Sequence, residues 1–425
     1  MRSFDEHKKA LKENSVYFLK WTLISAVIGT VGGVIGAGFS KSISWVTAFR
    51  RENGWTLFLM PAAGVLIVWL YHTFHEEKNR GTNMVLEAVS SGQNLTVSSG
   101  LLIFISTVLT HFVGGSSGRE GAALQLGGSI GSFIGKKIVL DDQDRKIAVM
   151  CGMSAVFGAL FGTPVAAGIF SMEAASIGTI YYAGFIPCLF ASFLGASIAE
   201  FLGASGERFS ILSLPEFNLL NASYVVLLGI LCALVSIGFC MLLHLAEKLY
   251  RKKFQNPYRR ILTASAVFIV LTLLSGSRIY NGSSMELIEQ AMEGHVQYEA
   301  FLLKAIFTAV ALGAGFKGGE IVPTLCVGAT FGCMIGQIFG ISPSFSAACG
   351  MTALFVGVTN CPISSLVIAL ELFGGEAIWF FALITAVSFA LSGYYGLYSS
   401  QQFVFSKTRQ EVISQSSKTD KNEEN

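Results

Sequence analysis

The stretch GGSSGREGAALQLGGSIGSFIG, residues 114–135, decides the fold of this chain. Its first five residues disfavour a helix and predict a bend, whereas the apolar pattern from about Gly121 predicts a helix. A helix that starts beside a glycine-rich bend presents free backbone N–H groups and the positive end of its dipole, so it attracts anions. Glu120 lies at that start. The same residues also fit a small-residue packing helix capped by a glutamate, and this stretch alone leaves both interpretations open.

A second copy of the motif favours the first interpretation. Residues 315–332 read GFKGGEIVPTLCVGATFG, and four positions repeat the first copy at one constant offset: Gly115, Gly118, Glu120 and Gly128 recur as Gly315, Gly318, Glu320 and Gly328. The following segments repeat as well, since CGMSAVFGALFGTPVAAGIFSMEA from Cys151 is answered by CGMTALFVGVTNCPISSLVIALEL from Cys349. The chain is therefore duplicated, with repeat one at about 16–205 and repeat two at about 224–400. Duplicated membrane proteins with glycine-interrupted apolar segments hold their ion or substrate site where the repeats meet.

The composition predicts an integral membrane protein. Of the 425 residues, 52% are hydrophobic and 13% are charged, and the mean hydropathy is +0.59, a balance that cannot cover a globule with polar surface. We expect an all-α polytopic membrane protein in which residues 1–425 form a single transmembrane domain within the lipid bilayer, with no nucleic-acid partner. The polar tails, residues 1–14 and 406–425, are expected to be cytoplasmic at the cell membrane, since the basic N-terminus lacks an apolar signal core.

Many of the predicted helices are too short to cross a bilayer. Backbone polar groups then end inside the membrane, where they are tolerated only if protein buries them or if they line a wet cavity. We therefore expect the helix starts at 118–122 and 318–322 to meet near the middle of the membrane and to offer N–H groups to an anion. Inverted repeats would bring the two starts together from opposite sides.

These motifs resemble the CLC family of chloride channels and proton-coupled anion antiporters. GREGA at 118–122 is similar to the family's GREGP motif, GGEIVP at 318–323 stands at its GxFxP motif, and GLYSS at 396–400 matches the segment with the pore-lining tyrosine, here Tyr398. The resemblance implies a CLC-type fold of two inverted repeats with many short, tilted and broken helices. It also implies a homodimer with one pathway per subunit, and we expect no CBS domains.

The resemblance also implies which residues act. Glu120 corresponds to the family's glutamate gate, which swings in and out of an anion site and carries the proton. The other anion-binding positions implied by the motifs are Gly118, Arg119, Gly121, Ala122, Glu320, Ile321, Val322 and Tyr398.

Departures from the family pattern indicate a particular branch. The chloride-binding GSGIP motif has no clean copy, and residues 81–85, with Asn83 and Met84, stand in its place. The proline of GREGP is replaced by Ala122, the second motif has gained Glu320, and Ala174 stands where chloride antiporters carry an inner acid. These changes resemble the fluoride-exporting branch of the family. They imply a fluoride/proton antiporter that expels fluoride from the cytoplasm.

Physical chemistry supports this interpretation in part. Fluoride holds its water strongly, so a site must offer close, strong hydrogen-bond donors, and a protonated buried carboxyl can be one. Simpler roles stay open for several residues. Glu320 can be a helix cap, Tyr398 an interfacial anchor and Met84 a core residue, and the repeated Glu173 and Glu371 are expected to be structural or interfacial.

The alternative function is a chloride or general halide CLC antiporter or channel. An intramembrane enzyme is disfavoured, because we expect no histidine near either glutamate motif and the chain contains no HExxH motif. A receptor or structural subunit would not need two buried glutamates at helix starts. The eight cysteines lie in apolar runs without CxxC spacing, so we predict no metal site, no disulfide and no cofactor.

Overall fold

The computed structural model describes residues 4–204, 206–409 and 411–417, and these residues form sixteen α-helices. Repeat one contains α1 (Phe4–Glu52), α2 (Met60–Thr73), α3 (Thr82–Ser91), α4 (Val97–Phe112), α5 (Glu120–Lys137), α6 (Asp142–Phe161), α7 (Pro164–Glu173) and α8 (Phe185–Phe201). The rest of the chain contains α9 (Leu219–Lys253), α10 (Pro257–Leu274), α11 (Met285–Met292), α12 (Ala300–Ala314), α13 (Ile321–Phe339), α14 (Pro343–Thr359), α15 (Pro362–Phe373) and α16 (Ile378–Leu391). The predicted all-α architecture is confirmed.

Six helical stretches in the described part are long and apolar enough to cross a membrane: Lys8–Glu52, Gly54–Thr73, Tyr182–Phe201, Leu219–Lys253, Pro257–Leu274 and Ile321–Phe339. The helices that precede the two glutamate motifs are shorter, with 16 residues in α4 and 15 in α12. Each is followed by a non-helical segment and then by the motif helix. The chain therefore breaks at both motifs, as the glycine-rich bends predict.

A small sheet is the exception to the helical architecture. Strand β1 (Ser176–Ile177) pairs parallel with β2 (Gln402–Phe405), and β2 pairs antiparallel with β3 (Val412–Ser416). In the register of this sheet, Ser176 lies opposite Gln402, which lies opposite Ser416. The sheet ties the end of α7 to the segment that follows Tyr398.

Three boundaries differ from the sequence-based expectation. Helix α1 begins at Phe4, so most of the predicted polar tail 1–14 is helical, because its lysine and glutamate residues favour helix as well as water. The long apolar segment from Ile177 to Leu202 predicts one helix, but α8 begins only at Phe185, since Ile177 belongs to β1. The predicted polar tail 406–425 contains β3, and its last residues, 418–425, lie outside the described residues.

The duplication is visible in how the motif helices pack. In repeat one, a Cβ added to Gly131 of α5 would lie 2.0 Å from the carbonyl oxygen of Ala148 on α6. In repeat two, a Cβ on Gly332 of α13 would lie 2.1 Å from the carbonyl oxygen of Ser346 on α14. Both helix pairs therefore approach to backbone contact, which only glycine permits, as in other close membrane helix pairs.

Glu173 and Glu371 hold the two repeats together. The carboxylate of Glu173, at the end of α7, accepts hydrogen bonds from the backbone N–H groups of Ile363 and Ser364 at the start of α15, at 3.2 and 2.8 Å. The carboxylate of Glu371 on α15 accepts from the N–H groups of Val165 and Ala166 at the start of α7, at 3.0 and 2.8 Å. Each repeat thus caps a helix of the other, and the expectation that these two glutamates are structural is confirmed.

Candidate functional site

The two broken helix starts meet inside the protein. Gly118 and Gly319 form an isolated antiparallel bridge, in which the Gly118 N–H donates to the Gly319 oxygen at 2.6 Å and the Gly319 N–H donates back at 2.8 Å. Helix α5 begins two residues after Gly118, and α13 begins two residues after Gly319. The predicted meeting of the two helix starts is therefore present in the fold.

Glu120 reaches across this junction. Its side chain is fully buried, and its Oε2 accepts hydrogen bonds from the backbone N–H groups of Arg119 at 2.9 Å and Val322 at 3.2 Å. Its Oε1 is buried and has no hydrogen-bond partner in the described part of the chain. The carboxyl group thus occupies the positive end of α13, where an anion would otherwise bind.

Glu320 lies at the matching position before α13. It makes no side-chain capping hydrogen bond, and its Oε2 is buried without a partner among the described residues. This oxygen lies 3.3 Å from the position that a Cβ on Gly121 would take, at the start of α5. The helix-cap interpretation of Glu320 therefore has no hydrogen bond to support it, and its carboxyl group faces the opposite helix start.

Glycine makes this approach possible. A Cβ on Gly319 would lie 2.5 Å from the backbone nitrogen of Gly121 and 3.2 Å from Oε2 of Glu120. A Cβ on Gly121 would lie 3.1 Å from the Cα of Gly319. Any side chain at either position would separate the two helix starts and the two carboxyl groups.

Free N–H groups surround the junction. Within the described residues, the N–H groups of Gly121, Ala122 and Ile321 form no backbone hydrogen bond to a preceding turn, as expected in the first turn of a helix. Ala122 and Ile321 are fully buried. These groups can serve a small anion as donors only if the two carboxyl groups make room for it.

Arg119 contributes its backbone rather than its charge. Its guanidinium points away from the junction and forms an ion pair with Glu207 at 2.9 Å, with further hydrogen bonds to Ser40 Oγ and the Leu160 oxygen at 3.3 and 3.4 Å. The Arg119 guanidinium therefore does not face the predicted anion site, because it binds Glu207, Ser40 and Leu160 instead. Its N–H group, however, donates to Glu120.

Tyr398 is buried with its hydroxyl unpartnered. The residue is 1% exposed, and its hydroxyl oxygen has no hydrogen-bond partner in the described part of the chain. An interfacial anchor would place this hydroxyl in the water of the headgroup layer. The burial of Tyr398 instead fits a donor that awaits a ligand, since buried hydroxyls are normally paired.

Helix α3 joins the site through the segment that follows Tyr398. The side-chain oxygen of Asn83 accepts from the N–H of Ser400 at 3.0 Å, and the hydroxyl of Ser400 donates to Glu87 at 2.7 Å. Met84 is partly buried and packs against the hydrophobic core, which is what its core interpretation predicts. Asn83 thus positions the tyrosine segment, and the predicted contacts of Asn83 and Met84 with an anion stay predictions.

Two residues near the junction escape sequence analysis. His111 is fully buried, and its Nε2 lies 3.3 Å from the carbonyl oxygen of Gly118, so the expectation of no histidine near either glutamate motif is wrong. Lys304 on α12 is fully buried, and its Nζ donates to Ser116 Oγ and to the Gly282 oxygen at 2.9 and 2.8 Å. Their signal in the sequence is weak, since each is a single ionisable residue within a largely apolar run.

A duplicated membrane domain in which two broken helices meet at a pair of buried carboxyl groups is the architecture of an anion-transporting membrane protein. Residues 63–393 match the family described as "Voltage gated chloride channel". The chain belongs to this family, the CLC family of anion channels and anion/proton antiporters.

Individual relatives agree with this assignment. The chain is 28% identical over 398 residues to a "Chloride/fluoride channel protein" of Pseudomonas syringae pv. tomato, covering 92% of this chain and 88% of the relative. It is 23% identical over 384 residues to a Yersinia pestis "H(+)/Cl(-) exchange transporter ClcA", covering 82% and 79%.

Solved structures show the same fold. A CLC-type fluoride/proton antiporter superposes with a TM-score of 0.87 at 26% identity, covering 90% of this chain and 98% of that one. A slow cyanobacterial Cl⁻/H⁺ antiporter superposes with a TM-score of 0.75 at 17% identity, covering 88% and 94%, which shows the fold alone. The predicted fold of two inverted repeats is confirmed.

Proposed function

We propose that this protein is a fluoride/proton antiporter that exports fluoride from the cytoplasm, with Glu120 as its gate and proton carrier. The observation that carries the proposal is the crossed pair of glutamates at the two helix starts. Oε2 of Glu120 accepts a hydrogen bond from the Val322 N–H. Glu320 faces Gly121 with an oxygen that has no hydrogen-bond partner among the described residues. A site with a second acid offers fluoride a donor that an apolar residue at position 320 would not.

The geometry supports an exchange of carboxylate for anion. While the ionised Glu120 carboxylate accepts from the Val322 N–H, it fills the anion position at the start of α13. When Glu120 gains a proton, it loses its charge and its strong attraction to the helix N-terminus. Fluoride can then take the N–H groups that Glu120 releases, and the proton carried by Glu120 leaves on the side opposite to fluoride.

Fluoride is favoured over chloride by the donors available. A small, strongly hydrated anion gives up its water only for close and strong donors. A protonated Glu320 carboxyl and the free Tyr398 hydroxyl provide such donors beside the N–H groups of the two helix starts. The names of two relatives, a chloride/fluoride channel protein and a fluoride/proton antiporter, support the same choice.

An efflux comparison tests the selectivity. Purified protein is reconstituted into vesicles loaded with either potassium fluoride or potassium chloride, and efflux is followed with ion-selective electrodes. We expect fluoride efflux to exceed chloride efflux by roughly tenfold or more, equivalent to ~1.4 kcal/mol or more between the two barriers. Equal rates would instead assign the protein to the chloride or general halide antiporters and channels of the family.

The assembly and location follow the same proposal. We expect a homodimer with one pathway per subunit, in the cell membrane, with both termini in the cytoplasm. Light scattering of the detergent-solubilised protein after size exclusion tests the dimer, and the mass of one subunit would contradict it.

A further inference from the structure

A cavity of about 240 Å³ lies beside the glycine-rich bend, at the end of α1 opposite to the N-terminus. Its lining includes three arginines and one acidic residue: Arg50, Arg51, Arg278 and Glu286. No other titratable side chain is found among the described residues that line it. The cavity therefore carries an excess of positive charge.

Two of the three guanidinium groups are unpaired. In the described part of the chain, the Arg50 Nε is buried without a hydrogen-bond partner, and neither Arg50 nor Arg278 forms a side-chain hydrogen bond or an ion pair. The acid of the cavity, Glu286, lies 3.9 Å from Arg51, and both of these side chains are more than half exposed. Such an exposed pair contributes little, so Glu286 does not neutralise the cavity.

Each of the two unpaired guanidinium groups lies against the backbone of a glycine. Nη1 of Arg278 lies 1.5 Å from the position that a Cβ on Gly54 would take, so the guanidinium rests directly on the Gly54 backbone. Nη2 of Arg50 lies 2.8 Å from the Cβ position of Gly282. The space for both groups thus depends on two glycines that are far apart in the sequence. This arrangement places two like charges around one cavity instead of letting them extend into solvent.

We infer that this cavity is a second anion site, separate from the Glu120–Glu320 junction, which takes a small inorganic anion. Guanidinium groups donate several hydrogen bonds in a fixed geometry and bind anions by charge-assisted hydrogen bonds. A bound anion accepts hydrogen bonds from the guanidinium groups that line the cavity and offsets the repulsion between Arg50 and Arg278. Asn281 and Ser284 also line the cavity and add polar groups.

The cavity is connected to the gate through backbone hydrogen bonds. The Gly282 N–H donates to the Gly114 oxygen at 2.9 Å, and the Gly282 oxygen accepts from the Ser117 N–H at 3.3 Å. Ser117 lies three residues before Glu120 in the bend. Arg50 contacts Gly282, so an anion bound to Arg50 lies next to the glycine-rich bend that precedes Glu120. The inference does not depend on which halide the protein transports.

Anion binding to the full-length protein tests the inference. Isothermal titration calorimetry is carried out in maltoside micelles free of phospholipid, with sodium fluoride, sodium chloride and sodium phosphate as separate probes. We expect the wild-type protein to bind at least one of these anions in a step that is lost in the Arg50→Gln/Arg278→Gln double variant. Lys41→Gln removes one positive charge from α1 outside the cavity and is expected to leave this step unchanged.

Gly54→Ala is the sharper variant, because it keeps every charge. The new methyl group takes the place of the Arg278 guanidinium, which swings away at low cost, and we expect anion affinity to fall roughly fivefold or more. Unchanged binding in both Gly54→Ala and the double arginine variant would overturn the inference. It would also be overturned if only the number of co-purified phospholipids fell in the double variant, since the cavity would then hold a lipid headgroup.

Discussion

Glu120 and Glu320 are alike in sequence and opposite in contacts. One carboxyl oxygen of Glu120 accepts hydrogen bonds from two backbone N–H groups, whereas the buried Oε2 of Glu320 has no partner in the described part of the chain. A buried carboxyl oxygen without a hydrogen bond lowers the stability of the fold unless it binds a ligand or a proton. We therefore expect Glu320 to act on the transported anion or its proton rather than on the stability of α13.

Glu320→Gln tests this role. The amide keeps the shape of the carboxyl group but cannot gain or lose a proton, so we expect fluoride transport in vesicles to slow by roughly tenfold or more, ~1.4 kcal/mol or more in the barrier. The elution volume in size exclusion is expected to be unchanged, which separates a transport defect from misfolding. Glu216→Gln changes an exposed acid in the same way and serves as the control. A wild-type rate with unchanged pH dependence in Glu320→Gln would leave Glu120 as the only acid in the mechanism.

Tyr398→Phe tests the buried hydroxyl. Because that hydroxyl has no partner among the described residues, its removal leaves no protein group unsatisfied and is expected to keep or slightly raise the melting temperature. Fluoride transport is expected to weaken by a factor of about 5 to 10, since one neutral hydrogen bond contributes roughly 1 kcal/mol. A melting temperature that falls sharply while transport is unchanged would show that Tyr398 is a packing residue.

At the level of helices, the carboxylates of Glu173 and Glu371 stabilise the contact between the repeats. Each accepts two backbone N–H groups at the start of a helix in the other repeat. Hydrogen bonds from helix N-termini to a charged acceptor are among the stronger ones in proteins.

Replacing either of these glutamates by alanine is expected to destabilise the protein. Glu173→Ala and Glu371→Ala should each cost about 1–3 kcal/mol, because the N–H groups they hold are left buried and unpaired. Thermal unfolding in detergent measures the loss. Glu200→Ala, an exposed acid on α8, is the matched control. If Glu173→Ala and Glu371→Ala melt like the control, the cross-repeat caps do not stabilise the fold.

The glycines of α5 allow a similar test. In Gly131→Ala the new methyl group would lie 2.0 Å from the Ala148 oxygen, so α5 and α6 must move apart, at a cost of roughly 1–3 kcal/mol. A Cβ on Gly38 of α1 meets nothing within 4 Å. Gly38→Ala is therefore expected to be neutral or stabilising by up to ~1 kcal/mol, since alanine favours helix. A lower melting temperature for Gly38→Ala than for Gly131→Ala would contradict the packing described for α5 and α6.

Across the whole molecule, most of what could be predicted from the sequence followed from the internal repeat. The constant offset between Glu120 and Glu320 predicts that two equivalent helix starts face each other, and the bridge between Gly118 and Gly319 shows that they do. The glutamates at the ends of α7 and α15 were predictable for the same reason. In a duplicated chain, equivalent residues of the two repeats occupy equivalent positions. Long-range contacts between such residues can therefore be inferred without a structure.

Contacts that lie outside the repeat could not be predicted in this way. His111 reaches the Gly118 oxygen, the Arg119 guanidinium turns to Glu207, and Arg50 meets Arg278 across a cavity. Each contact depends on the direction that packing between helices gives to a side chain, and His111, Arg119 and Arg50 do not recur at the repeat offset. The strand β3 escaped prediction because its polar sequence has no alternation of apolar residues.

The central claim is that Glu120 couples fluoride to protons, and proton movement driven by a fluoride gradient tests it most directly. Vesicles with purified protein are loaded with fluoride and diluted into fluoride-free buffer, and the pH inside is followed with a trapped dye. Protein-free vesicles correct for diffusion of hydrogen fluoride. We predict that fluoride efflux drives proton uptake in the wild-type protein, and that Glu120→Gln shows no proton uptake because an amide cannot carry a proton. Proton uptake at the wild-type rate in Glu120→Gln would contradict the claim.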